Sequence, residues 1–96
     1  MSQSRQLRVP DAMVSLVRKL HPRIKRKIRA GLNDILVNPE CGKTLRMELA
    51  GLLSYRVGRF RIIYRSGEEN VIELVAIGPR KTIYEETYRL LRHDDC

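Results

Sequence analysis

The 96-residue chain has no tryptophan, one phenylalanine and four tyrosines. So few rings argue against a broad stacking platform for single-stranded nucleic acid, on which successive bases rest against aromatic side chains. Long apolar runs are also missing; none approaches the ~18 residues of a membrane span, so no membrane partner is expected. The opening Met1-Ser2-Gln3-Ser4-Arg5-Gln6 lacks the apolar centre of a secretory signal, which makes the cytoplasm the expected location. Cysteine is scarce. Cys41 and Cys96 are the only two, and in a cytoplasmic chain both are expected to be free thiols. Pro39-Glu40-Cys41-Gly42-Lys43 resembles one arm of a zinc finger, but with no second Cys nearby and no paired His it predicts no metal site. Repeats and low-complexity linkers are absent, and the length fits one domain, residues 1–96, with 92–96 expected to fray.

Positive charge is abundant and unevenly spread. The net charge is +8, from 19 Lys and Arg against 11 Asp and Glu. Between Arg5 and Arg65 there are 15 basic and 4 acidic residues, a net of +11; from Ser66 to Cys96 there are 4 and 7, a net of −3. A basic surface on the first two-thirds of the chain suits a polyanionic or acidic partner.

Hydrophobic residues, at 43%, suffice for one core. Gln6 to Val9 reads as a first strand. Pro10-Asp11 marks a turn with Asp11 as helix N-cap, and Met13, Leu16, Val17 and Leu20 share one helical face. His21-Pro22 breaks that helix, and Pro22 suits the first position of a second one. The second helix buries Ile24, Ile28, Leu32, Ile35 and Leu36, shows Arg23, Lys25, Arg26, Lys27 and Arg29 to solvent, and ends at Asn38-Pro39. A break this short implies an antiparallel helix hairpin. Residues 39 to 51 read as loop. Strands follow over Leu52 to Val57, Phe60 to Arg65 and Asn70 to Ile77, with tight turns at Gly58 and at Ser66-Gly67-Glu68-Glu69 that make them antiparallel neighbours. Lys81 to Leu91 has helical spacing. The order β-α-α-β-β-β-α predicts an α+β fold, an antiparallel sheet with the helix hairpin packed on one face and the other face open.

Alternation along Arg59-Phe60-Arg61-Ile62-Ile63-Tyr64-Arg65 sends Phe60, Ile62 and Tyr64 toward the helices and Arg59, Arg61, Ile63 and Arg65 to the other face. Arg56 on the preceding strand and Arg80 beyond Gly78 can join them. Several planar guanidiniums on one face suit phosphate.

The segment Leu45 to Tyr64, with its Gly51 loop, Tyr55-Arg56-Val57-Gly58 and Phe60-Arg61-Ile62-Ile63-Tyr64, resembles the central signature of the RelE/ParE toxin superfamily. Ile77-Gly78-Pro79-Arg80-Lys81-Thr82-Ile83-Tyr84 matches a second signature, and the likeness spans roughly residues 5 to 91. The resemblance implies a RelE-like fold and the toxin of a type II toxin–antitoxin pair, with a cognate antitoxin protein as partner. In the RelE branch it implies a metal-free, cofactor-free endoribonuclease that cuts mRNA on the ribosome and inhibits translation. The ParE branch shares the fold, and its characterised members poison DNA gyrase instead, so fold alone does not choose.

The RelE-like reading assigns catalysis to Arg61, Arg80, Tyr84 and Arg56. Arg61 and Arg80 clamp phosphate, Arg56 sits near the reacting sugar, and Tyr84 orients the substrate or assists proton transfer. RNA contacts are expected from Arg59, Arg65, Lys81, Arg23, Lys25, Arg26, Lys27 and Arg29. Two departures stand out: Pro79 occupies the place of a His in many relatives, and Tyr55–Val57 contains no Lys. Arg stays protonated and is a poor general base. Glu48 is a candidate carboxylate, while His21 and His93 read as structural or incidental.

Overall fold

The computed structural model describes residues 5–94. Its order is β1 (Gln6–Arg8), α1 (Asp11–Arg18), α2 (Pro22–Val37), β2 (Lys43–Thr44), β3 (Leu53–Val57), β4 (Phe60–Ser66), β5 (Val71–Pro79) and α3 (Ile83–Asp94). Single turns of 3-10 helix at Pro39–Cys41 and Met47–Leu49 flank β2. The five-stranded sheet runs β1-β5-β4-β3-β2. All pairs are antiparallel except β1 with β5, which is parallel. The α+β class therefore stands, with one more strand than expected and one parallel pair at the edge. β2 was hidden in the 39–51 loop because two residues carry no readable alternation.

Local chemistry accounts for the helix starts. Pro10, not Asp11, is the N-cap of α1; Asp11 is the first helical residue, where its carboxylate complements the helix dipole. His21 caps α2, its Nδ1 accepting the Arg23 N–H at 3.1 Å, and Pro22 follows at the position where its missing N–H costs nothing. At the other end of α2, Arg5 Nη1 donates to the carbonyls of Leu36 (2.9 Å) and Val37 (3.1 Å), tying the chain before β1 to the helix. α3 begins at Ile83, later than Lys81, and continues beyond Leu91 to Asp94. The expected fraying at 92–94 is replaced by helix, and the rest of that tail, with Cys96, lies outside the described residues.

Two apolar layers sandwich the sheet. On one side Ile28 and Ile35 of α2 meet Ile62, Tyr64, Ile72, Leu74 and Ile77, with Met13, Val17 and Leu20 packed against them; Leu16 of α1 is exposed. On the other side Leu52, Ile63, Ala76 and Ile83 form a second cluster, lined by Leu45, Leu49, Val75 and Tyr84. The second face is thus not open. α3 and the 45–52 segment cover its middle, because Ile63 and Ala76 are apolar and need burial. A bulge makes this possible: Ile63 pairs with Ala76 and Tyr64 with Leu74, so Val75 is an extra residue and both Val75 and Ala76 serve the second cluster.

Tyr64 locks the segment that leads into β2. Its buried hydroxyl donates to the Pro39 carbonyl (2.7 Å) and accepts the Gly42 N–H (3.0 Å). Burial pushes its phenol up to about 12. Tyr55 donates to Asp34 Oδ2 at 2.7 Å, joining β3 to α2, and that bond to a carboxylate pushes its phenol up to about 12 as well.

Candidate active site

Register brings two of the expected residues, Arg56 and Arg61, side by side. Arg56 of β3 pairs with Arg61 of β4, and Arg61 pairs with Gly78 of β5. Two rungs further from the hairpin turn, Lys43, Ser54, Ile63 and Ala76 pair in turn across β2, β3, β4 and β5. Ser54 and Arg56 are two apart on β3, so both share the α3 side with Arg61 and Ile63. The β3–β4 turn is Gly58-Arg59, with Gly58 at φ 59°, a conformation that suits glycine in a two-residue hairpin.

Arg61 is partly buried. Its Nη1 donates to Ser54 Oγ at 3.3 Å, and its Nε is sealed from solvent with no partner. Ser54 Oγ is also 3.1 Å from the Tyr84 hydroxyl. Ser54 itself is 2% exposed. Tyr84 then borders a cleft of about 570 Å³ lined by Lys43, Thr44, Leu45, Arg46 and Leu49. The exposed Arg56 donates from Nε to the Gly58 carbonyl at 3.3 Å.

Arg80 continues the chain beyond Gly78 and Pro79, its N–H bonded to the Arg59 carbonyl at 2.9 Å. Arg80 lies in the turn just past β5, its backbone tied to the β3–β4 turn and its side chain exposed. Glu86, one turn along α3 from Ile83, carries Oε2 3.2 Å from where a Cβ on Gly78 would stand. A Cβ there would also fall 2.9 Å from Ile83 Cδ1, so only glycine lets α3 approach this closely.

Two costs accumulate here. Like charges directly opposite on neighbouring strands, as at Arg56 and Arg61, repel. A buried N–H without an acceptor, as at Arg61 Nε, costs about 1–3 kcal/mol. Neither aids folding, and places where local rules are broken tend to be functional.

The other expected RNA contacts lie apart. Arg59 is exposed in the hairpin turn and Lys81 in the turn before α3, both at this end of the sheet. Arg65 is at the far end, 3.7 Å from Glu73, which also takes Arg8 at 3.7 Å. Arg23, Lys25, Arg26, Lys27 and Arg29 ride on α2, across the sheet from Arg61 and Tyr84. Lys25 Nζ is 3.2 Å from the Arg18 carbonyl. Glu48 is exposed in the second 3-10 turn.

Sequence reasoning missed Ser54, Lys43, Arg46 and Glu86. Ser54 was within reach, since it alternates in step with Arg56. Lys43 required β2, and Glu86 required the docking of α3 on Gly78. Among the described residues no cluster of three His, Cys, Asp or Glu side chains could hold a metal ion. Cys41 is an exposed free thiol, and among the described residues no helix is long and apolar enough to cross a membrane.

Comparison with known proteins follows the same lines. The profile of the ParE toxins of type II toxin–antitoxin systems, parDE, matches residues 13–84. The chain belongs to the RelE/ParE superfamily of type II toxins. The toxin fold superposes on a chain of the RelBE2 toxin–antitoxin complex of Mycobacterium tuberculosis with a TM-score of 0.71 and 30% identity, covering 81% of this chain and 100% of that one. A mutant E. coli RelE in the free state gives a TM-score of 0.70 at 18% identity, covering 91% and 93%. A chain of the archaeal RelE–RelB complex of Pyrococcus horikoshii gives 0.66 at 20% identity, covering 81% and 97%. At those lower identities the likeness is one of fold. No curated protein matches the toxin at a significant level.

Proposed function

We propose that this toxin is a ribosome-dependent mRNA endoribonuclease that works without a metal. The observation that carries the reading is the pairing of Arg56 with Arg61, whose Nε is buried without a partner, beside Tyr84 and a cleft lined by Lys43 and Arg46. An RNA phosphate at this place relieves the repulsion between the two guanidiniums and gives acceptors to those of their N–H groups that reach the surface. Cleavage requires the 2′-OH to attack the adjacent phosphate. Arg61 and Arg80 stabilise the doubly charged phosphorane, and Arg56 positions the sugar–phosphate backbone. Glu86 is the carboxylate beside Gly78 that is offered the 2′-OH proton, and Tyr84 presents its hydroxyl to the leaving 5′-oxygen. The ribosome supplies the remaining alignment of the mRNA.

The partner is an antitoxin. On the helix-hairpin side, Val9, Val14, Val17, Leu32 and Leu74 line a groove of about 310 Å³ rimmed by Arg18, Lys25 and Arg29. An acidic segment with an apolar anchor fits it, charge guiding the encounter and the anchor slowing release.

Primer extension of mRNA in a translating extract tests the activity. The wild type should produce discrete cuts that depend on ribosomes, and Arg61→Ala should lower the rate by roughly 10²–10³-fold, the loss typical of one preorganised donor. A second reading is favoured by the ParE profile match: a gyrase poison without catalysis. Absence of cuts together with inhibition of gyrase supercoiling would establish it, and the Arg residues would then serve protein contacts.

A further inference from the structure

Hydrogen counting at Ser54 settles a direction that the distances alone leave open. A guanidinium has donors and no acceptor. The 3.3 Å contact from Arg61 Nη1 therefore uses Ser54 Oγ as acceptor. Ser54 keeps one hydrogen, and the residue is 2% exposed, so water cannot receive it. The oxygen within reach is that of Tyr84, at 3.1 Å. Were Tyr84 to donate to Ser54 instead, the Ser54 hydrogen would be buried without an acceptor, at a cost of about 1–3 kcal/mol.

We propose that Ser54 is a positioning residue that relays the Arg61 charge to Tyr84, in the order Arg61 N–H to Ser54 Oγ, Ser54 O–H to the Tyr84 oxygen, and Tyr84 O–H into the cleft of Lys43 and Arg46. No proton crosses this chain at rest. Its effect is to fix the Tyr84 hydroxyl as a donor and to strengthen it, since hydrogen bonds in series polarise one another and the first donor is a cation. An acceptor placed in the cleft, such as a phosphate or leaving oxygen of RNA, then meets a hydroxyl already turned toward it. Ser54 is covered by its neighbours and does not line the cleft, so it acts through Tyr84 and Arg61. The catalytic consequence rests on the nuclease reading above; the hydrogen-bond order does not.

Two measurements separate these levels. In the free protein labelled with 13Cζ-tyrosine, the Tyr84 resonance is identified by its loss in Tyr84→Phe. It should move in Ser54→Ala and in Arg61→Met, which removes the charged donor, and return toward the wild-type position in Ser54→Thr. A Tyr84 signal that Ser54→Ala leaves in place overturns the relay, whatever the protein cleaves. If Ser54→Ala fails to fold, Arg61→Met cuts the same chain at its other end and is read in the same way. In the translating extract, Ser54→Ala should lower cleavage at saturating ribosomes by roughly tenfold, the rate equivalent of one net hydrogen bond, without changing the ribosome concentration that gives half the maximal rate. In the Tyr84→Phe background Ser54→Ala should add nothing, because the relay then ends on no donor. Fully additive losses would overturn the proposal. A wild type that does not cleave would remove the nuclease reading and leave the resonance test to decide the relay alone.

Discussion

Tyr64 joins the core to the segment that leads into β2. Its ring belongs to the core under α2, and its hydroxyl holds the segment that delivers Lys43 to the cleft. A methyl group at Gly42 would lie 2.5 Å from that hydroxyl, so glycine is what lets the chain close over the ring. Tyr64→Phe should cost about 1–3 kcal/mol, because the Gly42 N–H loses its acceptor and the Pro39 carbonyl its donor; urea unfolding measures it. The raised phenols of Tyr55 and Tyr64 give this a pH signature. In the unfolded chain a tyrosine loses its proton near 10, whereas here both hold it to about 12. The folded state binds the extra protons, so stability is fully present below pH 10 and falls as pH rises toward 12. Urea midpoints at a series of alkaline pH values should show that decline, and each of Tyr55→Phe and Tyr64→Phe should flatten part of it. Arg80→Ala should lower cleavage by roughly 10²–10³-fold with an unchanged melting temperature, since its exposed guanidinium supports no fold contact.

The elements show why some of the design was readable and some was not. α2, β3, β4 and the hairpin turn at Gly58 follow from spacing over many residues, and all appear near their expected bounds. Arg56 opposite Arg61 was legible as a shared face, although register fixed the pairing. What escaped was set by tertiary packing: the two-residue β2, the bulge at Val75, and the closure of α3 over Ile63 and Ala76. Alternation put three Arg and one Ile on that second face, and the lone Ile63 was the clue that something must cover it. Gly78 is a point of close approach between the sheet and α3. Gly78→Ala should force Ile83 and α3 outward. Because Tyr84 rides on the first turn of α3, we expect the variant to lose cleavage more than Thr82→Ala does. The comparison is a cleavage rate beside a thermal melt, and an unchanged rate would mean that α3 yields without moving Tyr84.

Across the whole molecule the positive charge divides into two fields. One surrounds Arg61 and the cleft; the other is the α2 stripe on the opposite side of the sheet. A substrate strand at the first cannot reach the second without passing round the sheet. The stripe therefore suits a large polyanion, such as ribosomal RNA, or an acidic antitoxin segment. Replacing Arg23, Arg26 and Lys27 with Gln should reduce ribosome affinity and flatten its salt dependence, with the melting temperature nearly unchanged because exposed charges contribute little. Equal salt slopes for variant and wild type would show that the stripe serves solubility.

The parallel pairing of β1 with β5 has a consequence for the order in which the protein comes into being. Gln6 finds its partner only when Val71 has been made, and Arg5 secures α2 only once β1 is in place. Closing such a distant pair is slow compared with folding the β3–β4–β5 meander, whose strands are neighbours in sequence. Arg61, Arg80 and Tyr84 all lie in the last two-fifths of the chain. A nascent polypeptide emerging from the ribosome thus carries its helix hairpin first and the residues of the proposed site last.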